Sequence, residues 1–170
     1  RERKGEHPLG DAGQLIAAVV FLAAWVADSF FLDVSTFLSR YIPLYVRLPI
    51  LALALVVALY LIRSGHFVIS GGQRPGSVVS TGAFRYVRHP LYLASLLVYF
   101  GLVVSTASLL SFGVLAGIFA FHNYIAGYEE KLLEAKFGEE YREYKRRTGK
   151  WLSRMGGVRQ AGGSRARRYL

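Results

Sequence analysis

The sequence predicts an all-α fold, a polytopic membrane helix bundle of about four spans. Two observations point there. Of 170 residues, 53% are hydrophobic and only 19% charged, with a mean hydropathy of +0.32. A soluble domain carries more polar surface than that. The charges are also unevenly placed: no Lys, Arg, Asp or Glu falls between Leu91 and Tyr128. One domain, 1–155, accounts for the length. The chain has no cysteine, which excludes a disulfide framework and thiolate chemistry. Its four histidines are widely scattered, and no metal site is expected.

The spans follow from bilayer thickness, since about 20 apolar residues are needed to cross about 30 Å of hydrocarbon. The first is expected over 13–32, with Asp28 near its far end, and the second over 42–62, with Arg47 and Arg63 near its ends. The uncharged stretch from Leu91 to Tyr128 would reach about 57 Å as one helix, so it must fold back. The polar run Ser105-Thr106-Ala107-Ser108 is the expected turn. The last two spans, 91–104 and 108–128, thus form a hairpin with a short first arm. That arm draws the residues before Leu91 toward the headgroups.

Beyond Tyr128, the spacing of Leu133, Phe137, Tyr141 and Tyr144 predicts an amphipathic surface helix over about 129–147. Residues 156–170 read as a basic, disordered tail that attracts anionic lipids. The net charge of +10 is concentrated there: twelve of the 21 lysines and arginines follow Tyr128, together with six glutamates. Such a pattern fits membrane orientation, and no nucleic-acid partner is expected. The loops between spans one and two and between three and four are poor in Lys and Arg. The positive-inside rule therefore puts both termini and the 64–90 loop on the cytoplasmic side.

Two clusters meet at that boundary. One is Thr81 to Tyr92, containing Arg85, Arg88, His89 and Pro90; the other is His122 with Glu129 and Glu130. Pro90 suits the first turn of the third span. A helix N-terminus flanked by His89 and Arg88 favours an anion, and the two glutamates favour an ammonium or ribose hydroxyls. Together they suit a zwitterionic small molecule lodged between the clusters. No GxGxxG or P-loop signature occurs, and a Rossmann domain has no room.

The runs VVSTGAFRYVRHPLYLA (78–94) and YEEKLLEAKFGEEYREYKRRTGKWL (128–152) resemble the isoprenylcysteine carboxyl methyltransferase and phospholipid methyltransferase superfamily. The resemblance covers roughly the C-terminal half. It implies a helical membrane enzyme that binds S-adenosyl-L-methionine in a pocket roofed by the C-terminal segment. The cofactor contacts it implies are Gly76, Ser77, Val78, Val79, Phe84, His89, Pro90, Leu91, Tyr92 and Glu129. Two departures stand out. Phe84 lacks the hydroxyl of the tyrosine often found there, and Ile125 stands where the isoprenylcysteine enzymes carry a substrate arginine. His122, one turn earlier, is a substitute for that arginine by position.

The implied reaction is methyl transfer from S-adenosyl-L-methionine to a lipophilic acceptor entering from the bilayer. An isoprenylcysteine-like carboxylate, a phospholipid amine and a hydrophobic thiol all remain open. No catalytic residue is assigned; His122 and Glu130 are candidate bases where the acceptor must lose a proton. Two other readings stand beside it. One is an NADPH-dependent membrane reductase of the steroid-reductase type, the other a non-catalytic lipid-binding adaptor.

Overall fold

The computed structural model describes residues 10–70 and 77–152. The described residues are helical, without strands: α1 Gly10–Val26, α2 Leu44–Ser70, α3 Pro90–Thr106, α4 Leu109–Phe137 and α5 Glu139–Arg147. Among the described residues, three stretches are long and apolar enough to cross a membrane: Ala12–Leu32, Leu44–Phe67 and Leu109–Phe137. The apolar helix Pro90–Thr106 is shorter, as expected for the short arm of the hairpin. Gly76, residues 1–9 and the tail 156–170 lie outside the described residues.

Each helix end has a local cause. Past Val26, α1 loosens into a π-helical stretch, Ala27–Leu32, that ends at Asp33 in the left-handed region (φ 50°). Asp28 there is fully buried, and its carboxylate accepts the amides of Val34 and Ser35 and the hydroxyls of Ser35 and Ser108. A buried carboxylate needs such donors, because burial without them costs several kcal/mol. The turn between α3 and α4 is short: Ala107 (φ 55°) closes α3, and the Ser108 side chain caps α4 by accepting from Ser111 N at 3.1 Å. Asp28 therefore ties the end of α1 to the hairpin turn.

The core lies between α1, α3 and α4. Phe21 packs on Tyr99 with ring centroids 4.5 Å apart, surrounded by Ala17, Leu96, Val103, Leu115 and Ile118. Trp25 Nε1 donates to Leu102 O at 3.0 Å and fixes α1 against α3. On its other side α3 meets α2 closely at Gly101, where an added Cβ would stand 2.9 Å from Leu51 Cδ1 and 3.2 Å from Ala54 Cβ. Small residues at such crossings let membrane helices approach.

Two expectations are corrected. The second helix does not stop at 62 but runs eight residues further, through the charged Arg63, to Ser70. The surface helix over 129–147 is not one element: α4 continues from the membrane segment through Glu129 and Glu130 to Phe137. Gly138 (φ 56°) then breaks the chain before α5 begins. A change from apolar to charged side chains alters the solvent a helix meets, not its hydrogen-bond ladder; the positive φ of Gly138 ends it.

Candidate functional site

The site lies where α3 begins and α4 leaves its apolar stretch. Before it, residues 77–81 run without regular structure into a 3-10 turn, Gly82–Arg85. Ser64 Oγ of α2 accepts the Ala83 amide at 2.8 Å and anchors this turn. Val87 and Gly149 then form an isolated parallel bridge, and Arg88 N donates to Gly149 O at 3.0 Å. The chain after α5 thus returns as a short strap, Thr148–Trp151, laid beside the start of α3.

His89 is the N-cap of α3 and Pro90 its first residue, as expected from the missing proline N–H. The His89 ring is buried. Its Nε2 lies 3.1 Å from Glu130 Oε1 and its Nδ1 3.7 Å from Glu129 Oε2. Arg88 Nε donates to the same Glu130 oxygen at 3.0 Å, with the two side chains only 10% and 9% exposed. The rest of the guanidinium holds the strap, donating to Lys145 O and Thr148 O at 3.1 and 3.0 Å. One turn along α3, Tyr92 OH donates to Glu129 Oε1 at 2.7 Å.

The two clusters therefore meet, as expected, through His89, Arg88, Tyr92 and the two glutamates. His89 and Arg88 are satisfied by Glu130 within the chain, so they are not free counter-charges for a ligand carboxylate. A desolvated cation requires its partner more than a helix end requires an anion. Glu130 accordingly acts as the structural counter-ion. Glu129 is the more accessible acid, its side chain 17% exposed.

The remaining expected residues are dispersed. Val78 N donates to Glu140 Oε1 at 3.0 Å, which ties the segment from Ser77 to Val79 to α5. Phe84 is half-buried, and its carbonyl accepts Tyr144 OH at 2.6 Å. Leu91 packs near Gly65 of α2. Gly76 is outside the described residues.

His122 sits deeper along α4. It is 1% exposed, stacked on Tyr92 at 5.0 Å between centroids, and neither ring nitrogen has a hydrogen-bond partner. Ile125 and Ala126 share its buried stripe and pack with Tyr92 and Trp151. Buried polar atoms are rarely left unpaired.

Sequence reasoning missed the strap. Trp151 lies 6.1 Å from the His89 ring and 5.5 Å from Phe119, and its Nε1 donates to Asn123 Oδ1 at 3.2 Å. Lys150 Nζ donates to Asn123 O and Oδ1 at 3.0 and 2.9 Å. Burial pulls the Lys150 ammonium below its ordinary value, with the Glu130 carboxylate working against the shift. Burial pushes the Tyr141 and Tyr144 phenols up. The available signal was the chain Thr148-Gly149-Lys150-Trp151 just past a basic helix end, a glycine and an aromatic placed to turn back on the bundle. Among the described residues, no group of three or more His, Cys, Asp or Glu side chains is placed to hold a metal ion.

The sequence profile of the phospholipid methyltransferase family matches residues 48–140, more than half of the chain. Over 85 residues the chain is 35% identical to the cobalt-zinc-cadmium resistance protein CzcN of Cupriavidus metallidurans, covering 49% of this chain and 39% of that protein. Over 64 residues it is 38% identical to methanethiol S-methyltransferase 1 of Bradyrhizobium diazoefficiens, covering 38% of this chain and 22% of that protein. The matched stretches thus span well under two thirds of either relative.

Proposed function

From the premise that the chain belongs to the phospholipid methyltransferase family, we propose that it moves a methyl group from S-adenosyl-L-methionine to a lipophilic acceptor at a membrane surface. The observation that carries the reading is Glu129. This acid is held by Tyr92 OH at 2.7 Å, keeps an exposed edge, and stands one residue beyond the apolar stretch of α4.

The donor set fits the methyl donor. Glu129 supplies an acceptor for the donor's ammonium or ribose hydroxyls, while Tyr92 and Trp151 supply aromatic surface beside it. The unpartnered nitrogens of His122 lie behind Tyr92, toward the membrane interior. When bound, the group supplies an electrophilic sulfonium methyl, which is the difficult part of the chemistry. The protein's own residues bind, align and exclude water, and alignment alone contributes about 7–11 kcal/mol to such a transfer. The Arg88–Glu130 pair fixes the strap and hence the wall of the site.

The acceptor enters from the bilayer. Methanethiol, which gives the Bradyrhizobium relative its name, supports a thiol over a carboxylate or an amine as that acceptor. We take the termini and the site to face the cytoplasm, on the distribution of Lys and Arg, and the basic tail to meet anionic lipid.

The test is transfer of labelled methyl from S-adenosyl-L-methionine by the purified full chain in lipid nanodiscs, offered ethanethiol, a prenylcysteine and phosphatidylethanolamine in turn. Label in an acceptor product supports the proposal. Consumption of NADPH with no methyl transfer to any of the three overturns it.

A further inference from the structure

We propose that His122 is the general base of the reaction and that the acceptor it serves is a small uncharged thiol. This inference rests on the methyltransferase reading above. It starts from the imidazole, which is 1% exposed, lies in an apolar stretch of α4, and has both nitrogens without a hydrogen-bond partner. Leaving a polar group so buried costs about 1–3 kcal/mol. A Phe or Leu there would pack at no such cost.

The surroundings select the ligand. Tyr92 stacks on the ring from α3, and its hydroxyl is already given to Glu129. The two cations of this wall point elsewhere than the His122 ring: Arg88 to Glu130 and the strap carbonyls, Lys150 to the oxygens of Asn123. A carboxylate acceptor beside His122 would therefore be a desolvated charge without a counter-ion. A phospholipid amine brings a phosphate with the same difficulty, and a headgroup too large for a ring covered this closely. A thiol is small and buries readily as a neutral S–H, a weak donor suited to an imidazole nitrogen.

The step balances. The S–H proton passes to a ring nitrogen of His122, and the sulfur electron pair forms the new S–CH3 bond as the sulfonium S–CH3 bond breaks. S-adenosylhomocysteine leaves as a neutral thioether, and the imidazolium returns its proton to water. The titratable side chain in ring contact with His122 is Tyr92 from α3, while Lys150 of the strap is turned to Asn123. His89, Glu129 and Glu130 stand beyond Tyr92, and the single charged residue of the Ala12–Leu32 stretch, Asp28, is bonded to Ser108 at the opposite end.

The experiment uses the full chain in nanodiscs with ethanethiol, comparing the parent with His122→Gln and His122→Phe. Both variants should bind S-adenosylhomocysteine as the parent does, because His122 is placed on the acceptor side. At neutral pH their transfer rate should fall about 10²–10⁴-fold. It should then climb tenfold per pH unit toward the thiol's own pKa, about 8.5 or above, where the parent stays flat. Unchanged rates and pH profiles in both variants overturn the role of His122. His122-dependent transfer to phosphatidylethanolamine but not to ethanethiol overturns the thiol. A parent that binds no S-adenosylhomocysteine instead brings down the methyltransferase reading itself.

Discussion

Arg88 and Glu130, 42 positions apart, meet at 3.0 Å with both side chains largely buried, and His89 reaches the same carboxylate oxygen. This pair joins the start of α3 to the exit of α4. Through the carbonyls of Lys145 and Thr148, Arg88 also gathers the strap. Breaking a buried pair from one side strands the other charge, at about 3–5 kcal/mol. Glu130→Gln should lower stability by that order, read from unfolding in mixed micelles. Arg88→Lys, unable to reach the carboxylate and both carbonyls at once, should release the strap and raise Trp151 fluorescence sensitivity to aqueous quenchers. Full stability in Glu130→Gln would mean the pair is dispensable.

The Tyr144 hydroxyl donates to Phe84 O at 2.6 Å, and burial raises its pKa above the ordinary 10.0. A folded-state pKa above the unfolded one means that the folded chain holds the proton more tightly. The stability this contributes is complete below pH 10 and declines as pH rises past it toward the folded value. Alkaline unfolding should therefore begin above about pH 10. Tyr144→Phe should cost about 0.5–1.5 kcal/mol at neutral pH and flatten part of that alkaline decline. An unaltered alkaline limb in the variant would assign the decline to other groups.

Gly101 sets the distance between α2 and α3. An alanine there places Cβ 2.9 Å from Leu51 Cδ1, so a side chain must move; a leucine also meets the α2 backbone, whose Leu51 Cα is already 3.5 Å from an alanine Cβ. Overpacking of this kind costs about 1–3 kcal/mol. Gly101→Leu should fall at or beyond the upper end and Gly101→Ala near the lower, measured by thermal inactivation of cofactor binding. Equal midpoints for all three chains would show that the crossing is looser than the contact distances imply.

Asp28 tests the opposite end. Asp28→Ala removes the acceptor of the Val34 and Ser35 amides and of the Ser35 hydroxyl, while Ser108 retains Ser111 Oγ at 2.8 Å. Hydrogen bonds to a charged acceptor contribute about 1.5–3 kcal/mol each, and Asp28 accepts several, so the variant should lose more stability than Tyr144→Phe. Methyl-donor affinity should hold at temperatures where the chain stays folded, because Ser108 and Glu129 are separated by most of the length of α4.

The long apolar helices were legible in the sequence because an apolar run of about 20 residues shows directly in its composition, and the Ala107–Ser108 turn because 38 uncharged residues have to fold back. Pro90 marked the start of α3 for the same elementary reason, its missing N–H. The continuation of α4 to Phe137 was not legible: a switch in side-chain polarity at Glu129 imitates an element boundary. Nor was the closure of His89 and Arg88 onto Glu130. Each residue carried a sound local reading, as anchor, cap or first-turn acid, and only the fold decides which charge desolvates which. Trp151 escaped notice because its partners Asn123, Phe119 and His89 lie 28 or more positions away.

The role of Glu129 as the acid that holds the methyl donor is open to one direct measurement, calorimetric titration of the detergent-purified full chain with S-adenosylhomocysteine. The parent should bind, and Glu129→Ala should bind about 10–100-fold more weakly, the loss expected for one hydrogen bond to a charged group. Equal affinity in the two proteins, or no heat from a folded parent, would contradict the assignment.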